Sequence, residues 1–170
     1  MQELIKLVEQ WAEDRNLING CMPIDQAMKL FSEAGELADN IGKGRDIKDD
    51  VGDVLVVLTV MSKQMNEPIR QLNFDSVKWA EGKNKQLVSS LFMALGEFVS
   101  CASLGHWSYG LVRRCVNILN AIAMNHNTTL EECLTVAYND IKDRKGIVHN
   151  GVFVKSTDDA YESIMEGLGK

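Results

Sequence analysis

Proline is rare in this chain, and this constrains its fold more than any other feature of the sequence. Only Pro23 and Pro68 occur among the 170 residues. Because proline is the strongest helix breaker, the remaining segments are free to form long helices. Apolar residues also recur at helical spacing, and the first segment places Leu4, Val8 and Trp11 on one face. The sequence therefore predicts an all-α fold.

Turn signals divide the chain into seven predicted helices. The first ends before the Asn19-Gly20 turn, and the others cover about residues 23–42, 47–66, 68–83, 87–103, 107–125 and 130–145. Residues 54–60 are β-branched enough to resemble a buried strand, but the length and polar start of their segment favour a helix. Near the C-terminus, Asn150-Gly151 lies between short apolar runs, a pattern typical of a β-hairpin.

The two halves of the chain resemble each other in sequence. Residues 30–37 (LFSEAGEL) match residues 91–98 (LFMALGEF) at both ends and at the central Gly-Glu pair. We interpret this as a duplicated helical unit, although unrelated helices also produce short matches. The predicted architecture is a helical bundle of two duplicated units, the second degenerate, within a single domain. Its boundaries are residues 1–170 for the domain, about 1–85 and 86–146 for the repeats, and 147–155 for the hairpin tail.

Charge and composition exclude several classes of protein. A formal net charge of −6 is unfavourable for binding nucleic acid or an anionic membrane surface. The most apolar run, residues 54–61, is too short to span a bilayer, and the N-terminal segment lacks the apolar core of a signal peptide. The four cysteines have neither C-x-x-C nor zinc-finger spacing, which favours buried, reduced thiols. These features predict a cytoplasmic protein.

Two pairs of acidic residues carry the strongest functional signal. Glu33 and Glu36 are three residues apart on one predicted helix, and Asp50 and Asp53 are three apart on the next. Residues at this spacing share a helix face. If the helices pack antiparallel, four carboxylates converge, and their repulsion calls for a cation. Oxygen ligands suit Mg²⁺, with Mn²⁺ as the alternative ion. The other interpretation is an acidic, solvated face.

A glycine lies between the two acids of each pair. Gly35 and Gly52 both fall inside predicted helices, where glycine costs about 1 kcal/mol relative to alanine. A residue without a side chain lets backbone, metal or substrate approach the helix closely. The two glycines are therefore expected to mark close approaches beside the acidic residues.

The acidic pairs and the sequence around them resemble a known family. Residues 29–38 (KLFSEAGELA) and 49–55 (DDVGDVL) are similar to the metal motif of the MazG-like, all-α nucleoside triphosphate pyrophosphatases. Dimeric dUTPases and phosphoribosyl-ATP pyrophosphatases belong to the same superfamily. The resemblance covers about residues 1–85. It departs from the family pattern at Asp50, where a glutamate is usual.

This resemblance implies an enzyme that hydrolyses a nucleoside triphosphate, either NTP or dNTP, to the monophosphate and pyrophosphate. Metal held by Glu33, Glu36, Asp50 and Asp53 would polarise the phosphates and activate water. One of these carboxylates would accept the proton of the water, and the sequence leaves open which one.

Substrate contacts are expected from residues outside the acidic pairs. By resemblance, Lys and Arg near the end of a later helix bind the phosphates, and the candidates are Asn139, Lys142, Arg144 and Lys145. A basic helix end also arises simply because it complements the helix dipole. Trp11 is a candidate for stacking on the base, or else a core residue.

The second repeat has lost most of the acidic set. Glu36 corresponds to Glu97, but Glu33 corresponds to Ala94, and Asp50 and Asp53 have no acidic equivalents. We therefore expect one metal-substrate site per chain, with Glu97 facing the first half and contacting substrate. The sequence leaves homo-oligomerisation open. Two alternatives to a general pyrophosphohydrolase also remain: a catalytically silent nucleotide- or partner-binding module, and a pyrophosphatase specific for dUTP or phosphoribosyl-ATP.

Overall fold

The fold is known from a computed structural model that describes residues 1–72, 74 and 82–167. Its helices and one two-stranded antiparallel sheet confirm the all-α prediction with a C-terminal hairpin. In chain order the elements are α1 (Gln2–Asp14), α2 (Pro23–Lys43), α3 (Lys48–Gln64), a 3₁₀ turn (Ile69–Gln71), α4 (Asn84–Ser103), α5 (Tyr109–Asn125), α6 (Leu130–Ile141), β1 (Gly146–His149), β2 (Val152–Lys155) and α7 (Tyr161–Gly167).

Helix α3 is the centre of the molecule. It contacts α1, α2, α5 and α6, and its most extensive packing is against α6. Nearly every residue from Asp50 to Ser62 is buried, so the helix has no wide solvent face. This explains why residues 54–60 lack a helical pattern of polar positions: a helix covered on all sides is apolar all round.

Two consecutive helical hairpins, α2–α3 and α4–α5, form most of the bundle. They contact each other where α2 packs on α4 and α3 packs on α5. Leu30 and Leu37 of α2 are buried, as are Leu91 and Phe98 at the matching positions of α4. The matched positions therefore have the same structural role, and the duplication itself remains a prediction.

Several predicted boundaries are wrong. The helix expected over residues 68–83 is only a 3₁₀ turn at its start, because Leu72 is already extended; residues 73 and 75–81, including Trp79, lie outside the described part. Helix α6 ends at Ile141 rather than at Lys145. The short helix α7 was not expected. Propensity alone does not fix these ends, since tertiary contacts override it.

Local signals were more reliable where they specify hydrogen bonds. The predicted capping box at the start of α6 is present: the Thr129 hydroxyl accepts from the Glu132 amide, and the Glu132 carboxylate accepts from the Thr129 amide. The predicted hairpin pairs Gly146 with Lys155 and His149 with Val152. Asn150 and Gly151 between the strands both have positive φ, 50° and 79°, as a tight two-residue turn requires.

Within the described residues, α4 meets the length and composition criteria of a membrane-spanning helix, and 44% of its apolar window is buried inside the protein. Its buried residues pack on α2 and α5, which is compatible with a core helix of a soluble protein. All four cysteines are free thiols, and three of them are buried, as expected. Burial raises the pKa of Cys115 to about 12 and that of Cys133 to about 11, so both stay protonated near neutral pH.

Candidate functional site

The hairpin formed by α2 and α3 places the two acidic pairs opposite each other. Helix α2 ends at Lys43 and is capped by Gly44. The left-handed backbone of Gly44 (φ 67°) allows its amide to donate hydrogen bonds to carbonyls of the last turn. Only residues 44–47 separate the two helices, so they run antiparallel. The chain therefore turns back sharply, and the late residues of α2 face the early residues of α3.

Glu33 and Asp53 form the inner part of the acidic set. Glu33 is 4% exposed and is paired with Lys29, one turn earlier on α2. The pKa of Asp53 is raised to about 7, chiefly by burial and further by the charges of Glu33 and Asp49, against the opposing effect of Lys29 and Arg144. The repulsion expected from the sequence therefore contributes to the raised pKa of Asp53, although burial is the larger cause.

Asp50 and Glu36 form the outer part of the set. Asp50 is buried, and both its oxygens accept from the Asn40 amide, at 3.0 and 2.9 Å. Burial raises its pKa in spite of that bond, and the charges of Asp49, Glu36 and Glu33 add to the rise. Glu36 itself is exposed on α2. The four predicted carboxylates thus lie on two adjacent helices, where Glu33 acts on both aspartates and Glu36 acts on Asp50.

The four carboxylates are chemically suited to a hard divalent cation, but they lie farther apart than the ligands of a closed metal site. Within residues 1–72, 74 and 82–167, no three Asp, Glu, His or Cys side chains form a group close enough to hold a metal ion. The pKa of both aspartates is raised, mainly by burial and further by the neighbouring carboxylates. A cation held by Glu33, Glu36, Asp50 and Asp53 would offset these negative charges through oxygen ligands.

A cavity of about 390 Å³ opens beside the inner pair. Its volume is within the range of small-molecule sites. Its lining combines carboxylates, cationic side chains, apolar side chains and residues of the β1–β2 hairpin. The lining residues that matter here are Glu33, Asp53, Lys29, Arg144, Lys155, Gln26, Trp11, Val56, Val57, Val60, Ile141 and Phe153.

The predicted basic cluster is only partly at this cavity. Arg144 lines it, and its guanidinium is also paired with Asp140. Asn139, Lys142 and Lys145 are not among the lining residues; the Lys142 ammonium instead donates to the Asn139 side chain at 2.9 Å. Asn139 lies on α6, whereas Lys142, Arg144 and Lys145 follow its end at Ile141, so the four residues do not share one helix face.

Trp11 lies at the inner end of the cavity as part of the core. Its indole N–H donates to the Ile141 carbonyl at 2.8 Å, and it is 9% exposed. The Arg15 guanidinium covers one ring face, 4.9 Å from the centroid, and Phe153 packs edge-to-face at 6.1 Å between centroids. Trp11 is therefore a core residue that also lines the cavity, and its stacking on a base stays a prediction.

Glu97 is placed away from the cavity. It lies on α4, is half exposed, and its carboxylate pairs with Arg114 of α5 at 3.2 Å. It is not a lining residue. The structure therefore gives it a contact within the second hairpin.

The two glycines of the acidic motifs have different surroundings. A Cβ on Gly52 would collide with the Cys133 carbonyl oxygen and lie 2.7 Å from the Ala137 Cβ. Gly52 therefore permits the close packing of α3 on α6. Gly35 has open space around it, with nothing within 4 Å of an added Cβ. Only Gly52 marks a close approach of protein backbone.

Sequence reasoning missed most residues of the cavity, among them Lys29, Gln26, Asp25, Phe153 and Lys155. The position of Lys29, one turn before Glu33, was a usable signal, because residues four apart on a helix form ion pairs. The hairpin residues gave no such signal. Nothing in a local pattern shows that a C-terminal hairpin folds back over α2, where an added Cβ on Gly151 would lie 2.5 Å from an Asp25 carboxylate oxygen.

Comparisons with known proteins give little further information. No family model matches the chain, and no solved structure matches it. A 66-residue segment is 47% identical to the "Uncharacterized 18.2 kDa protein in rep-hol intergenic region" of Haemophilus phage HP1 (strain HP1c1). This segment covers 38% of the chain and 40% of the phage protein. The similarity shows common ancestry of that segment and assigns no activity.

Proposed function

We propose that this protein is a Mg²⁺-dependent nucleoside triphosphate pyrophosphohydrolase, which converts an NTP or dNTP to the monophosphate and pyrophosphate. The observation that carries the proposal is the make-up of a single cavity. Glu33 and Asp53 form what we call its acidic wall, Asp25, Lys29, Arg144 and Lys155 are further charged lining residues, and most of the others are apolar. A nucleoside triphosphate has the same division between its charged and apolar parts.

Charge balance supports a metal-bound substrate. A triphosphate alone would be repelled by Glu33 and Asp53. Mg²⁺ characteristically bridges carboxylates and phosphates, and when bound it would neutralise and polarise the phosphate oxygens. The raised pKa of Asp53 indicates that the site without cation is electrostatically unfavourable. Glu36 and Asp50, on the same two helices, would complete the oxygen ligands.

The cationic side chains would orient the phosphates. Arg144 presents a planar guanidinium suited to two phosphate oxygens. Lys29, now paired with Glu33, would be released toward phosphate when a cation replaces it at that carboxylate. A carboxylate of the acidic set would accept the proton from the attacking water. The apolar inner wall would hold the nucleoside and exclude water.

The decisive experiment is a substrate panel with the full chain. Each common NTP and dNTP, including dUTP, and phosphoribosyl-ATP are incubated with Mg²⁺ or Mn²⁺, and monophosphate and pyrophosphate are quantified. We expect pyrophosphate and monophosphate in equal amounts, and none after removal of the cation. Turnover of dUTP or phosphoribosyl-ATP alone would establish the specific alternative. Absence of turnover on every substrate would contradict the proposal and favour a silent binding module.

A matched pair of variants connects activity to the site. Asp53→Asn removes one charge at the cavity with almost no change of volume. Asp39→Asn makes the same change at an exposed position of α2, where the carboxylate pairs with Lys43. We expect loss of turnover in the first and normal turnover in the second.

The cytoplasm is the proposed location, because it contains the nucleotide pool and keeps thiols reduced, and four free cysteines are present. The proposed partner is the nucleotide itself, with no role for nucleic acid or membrane. Homo-oligomerisation is open to measurement by light scattering on the purified chain.

A further inference from the structure

Gln26 is a buried polar residue whose side chain lines the cavity. It lies in the first half of α2 and is 8% exposed. Burial raises the pKa of the Cys21 thiol, and the nearby Gln26 side chain partly lowers it. A thiol is a weak partner, and an amide offers two donors and an acceptor. Most of its hydrogen-bonding capacity is therefore left for a ligand.

The other uncharged polar groups at the cavity are less suited to reading a ligand. The Trp11 indole N–H is already bonded to the Ile141 carbonyl. Ser32 is exposed to water, so a bond from it replaces a bond to solvent. A hydrogen bond to a desolvated group discriminates more strongly, because a wrong ligand leaves that group unpaired. At 8% exposure, Gln26 comes closer to this condition than the exposed Ser32 does.

The position of Gln26 along α2 suits one part of a nucleotide. It precedes Glu33 by seven residues, which is about 10 Å along a helix at 1.5 Å per residue. Both residues line the same cavity. If the phosphates lie by the carboxylates, as proposed above, a ligand that extends along α2 places its base near Gln26. The distance matches the extended length of a nucleotide from phosphate to base.

The surroundings at this end of the cavity also suit a base. Val57 and Val60 of α3 and Phe153 of the hairpin are lining residues. A nucleobase has two apolar faces and a polar edge, so it fits a slot of apolar side chains whose polar groups include the Gln26 amide and the neighbouring Asp25 carboxylate.

We propose that Gln26 is a specificity-determining residue that hydrogen-bonds to the edge of the nucleobase. This inference rests on the proposed function, since it places the phosphates at the acidic wall. The carboxamide both donates and accepts, so it selects bases by the pattern of donors and acceptors on their edge. Phe153 contacts the base face and brings the C-terminal hairpin into the site of its own chain.

The test compares kcat and KM for each nucleotide in the wild type, Gln26→Leu and Gln26→Glu. Leucine removes the hydrogen bonds at similar volume, and glutamate removes the donors. We expect at least a tenfold loss of kcat/KM for the preferred base in Gln26→Leu, mostly through KM. Gln26→Glu should alter the ratio between bases. Gln10→Leu, an exposed position of α1 bonded to Asp14, is the control and should leave all ratios unchanged.

Cleavage of inorganic tripolyphosphate separates this role from a structural one. It has no base, so its turnover should be equal in the wild type and the Gln26 variants; a fall there would point to misfolding of α2 and overturn the inference. Base ratios unchanged within twofold, in an active enzyme, would also overturn it and leave the proposed function intact. If the wild type cuts no nucleotide, calorimetry with the same nucleotides decides: base-selective binding lost in Gln26→Leu supports the inference, and absence of binding refutes it.

Discussion

The hairpins α2–α3 and α4–α5 share an architecture but differ in chemistry. Both are helix pairs with buried apolar residues at matching positions, yet within the described residues the first pair buries two carboxylates, Glu33 and Asp50, and the second pair buries none. Two aspartates in the first hairpin have a raised pKa. At the corresponding region of the second, Val112 is buried and Tyr109 is exposed. The same pair of packed helices therefore holds carboxylates of raised pKa in the first hairpin and apolar packing in the second.

This difference shows that a helix pair of this architecture does not require the buried carboxylates. The second hairpin packs without them, so the first retains them at a cost to its stability. Burial of unneutralised carboxylates is unfavourable, and a binding role is the simplest reason for it. The following predictions are ways to test this comparison.

The largest effect is expected from the matched residues Glu36 and Glu97. Glu36→Gln should reduce turnover by at least about 100-fold, because it removes a charge that stabilises the metal-bound phosphates. Glu97→Gln should change turnover by less than about threefold, since Glu97 only pairs with an exposed Arg114 and surface pairs contribute little. Steady-state kinetics measure both, with circular dichroism as the folding control. Equal losses would show that both hairpins contribute to catalysis.

The next effect concerns the glycines and is measured as stability. Gly52→Ala should lower the free energy of unfolding by about 1–3 kcal/mol, because the new methyl collides with the backbone of α6. Gly35→Ala and Gly96→Ala occupy matching positions of the two hairpins, both with open space around an added Cβ. Each should raise stability by about 0.5–1 kcal/mol through helix propensity. Chemical denaturation checks all three, and a stabilised Gly52→Ala would refute the close packing of α3 on α6.

Asp53→Asn should stabilise the metal-free protein at neutral and higher pH. The pKa of Asp53 is raised to about 7 in the folded state, so its stabilising contribution is complete below pH 4 and is lost as the pH rises through 7. At pH 8 asparagine should therefore raise the free energy of unfolding by roughly 2 kcal/mol, allowing for partial exposure. Unfolding curves from pH 4 to 8 in chelator measure this. If the free energy of unfolding of the variant depended on pH as strongly as that of the wild type, the raised pKa of Asp53 would be contradicted.

The sequence predicted the parts of this molecule that depend on local patterns. Helical spacing identified the helices around Leu30 and Leu91, Thr129 and Glu132 identified a cap, and Asn150-Gly151 identified the hairpin. The acids at i,i+3 spacing were expected to lie on facing helices if the two helices packed antiparallel. The short turn after Gly44 produces that packing. In each case the controlling interactions lie within a few residues of each other.

The remaining features depend on contacts between distant segments. The hairpin closes a cavity against α2, and Phe153 meets Trp11 from more than 130 residues away. The sequence also placed Lys142 and Lys145 with Arg144, but the end of α6 at Ile141 separates them. Gln26 belongs to no sequence motif, and its proposed role depends only on its burial beside the cavity.

Calorimetric titration of a non-hydrolysable nucleoside triphosphate in the presence of Mg²⁺ tests the central claim most directly. The account predicts one binding site per chain, located in the first hairpin, and loss of Mg²⁺-dependent binding in Asp53→Asn. Two equal sites per chain, or undiminished binding by that variant, would contradict it.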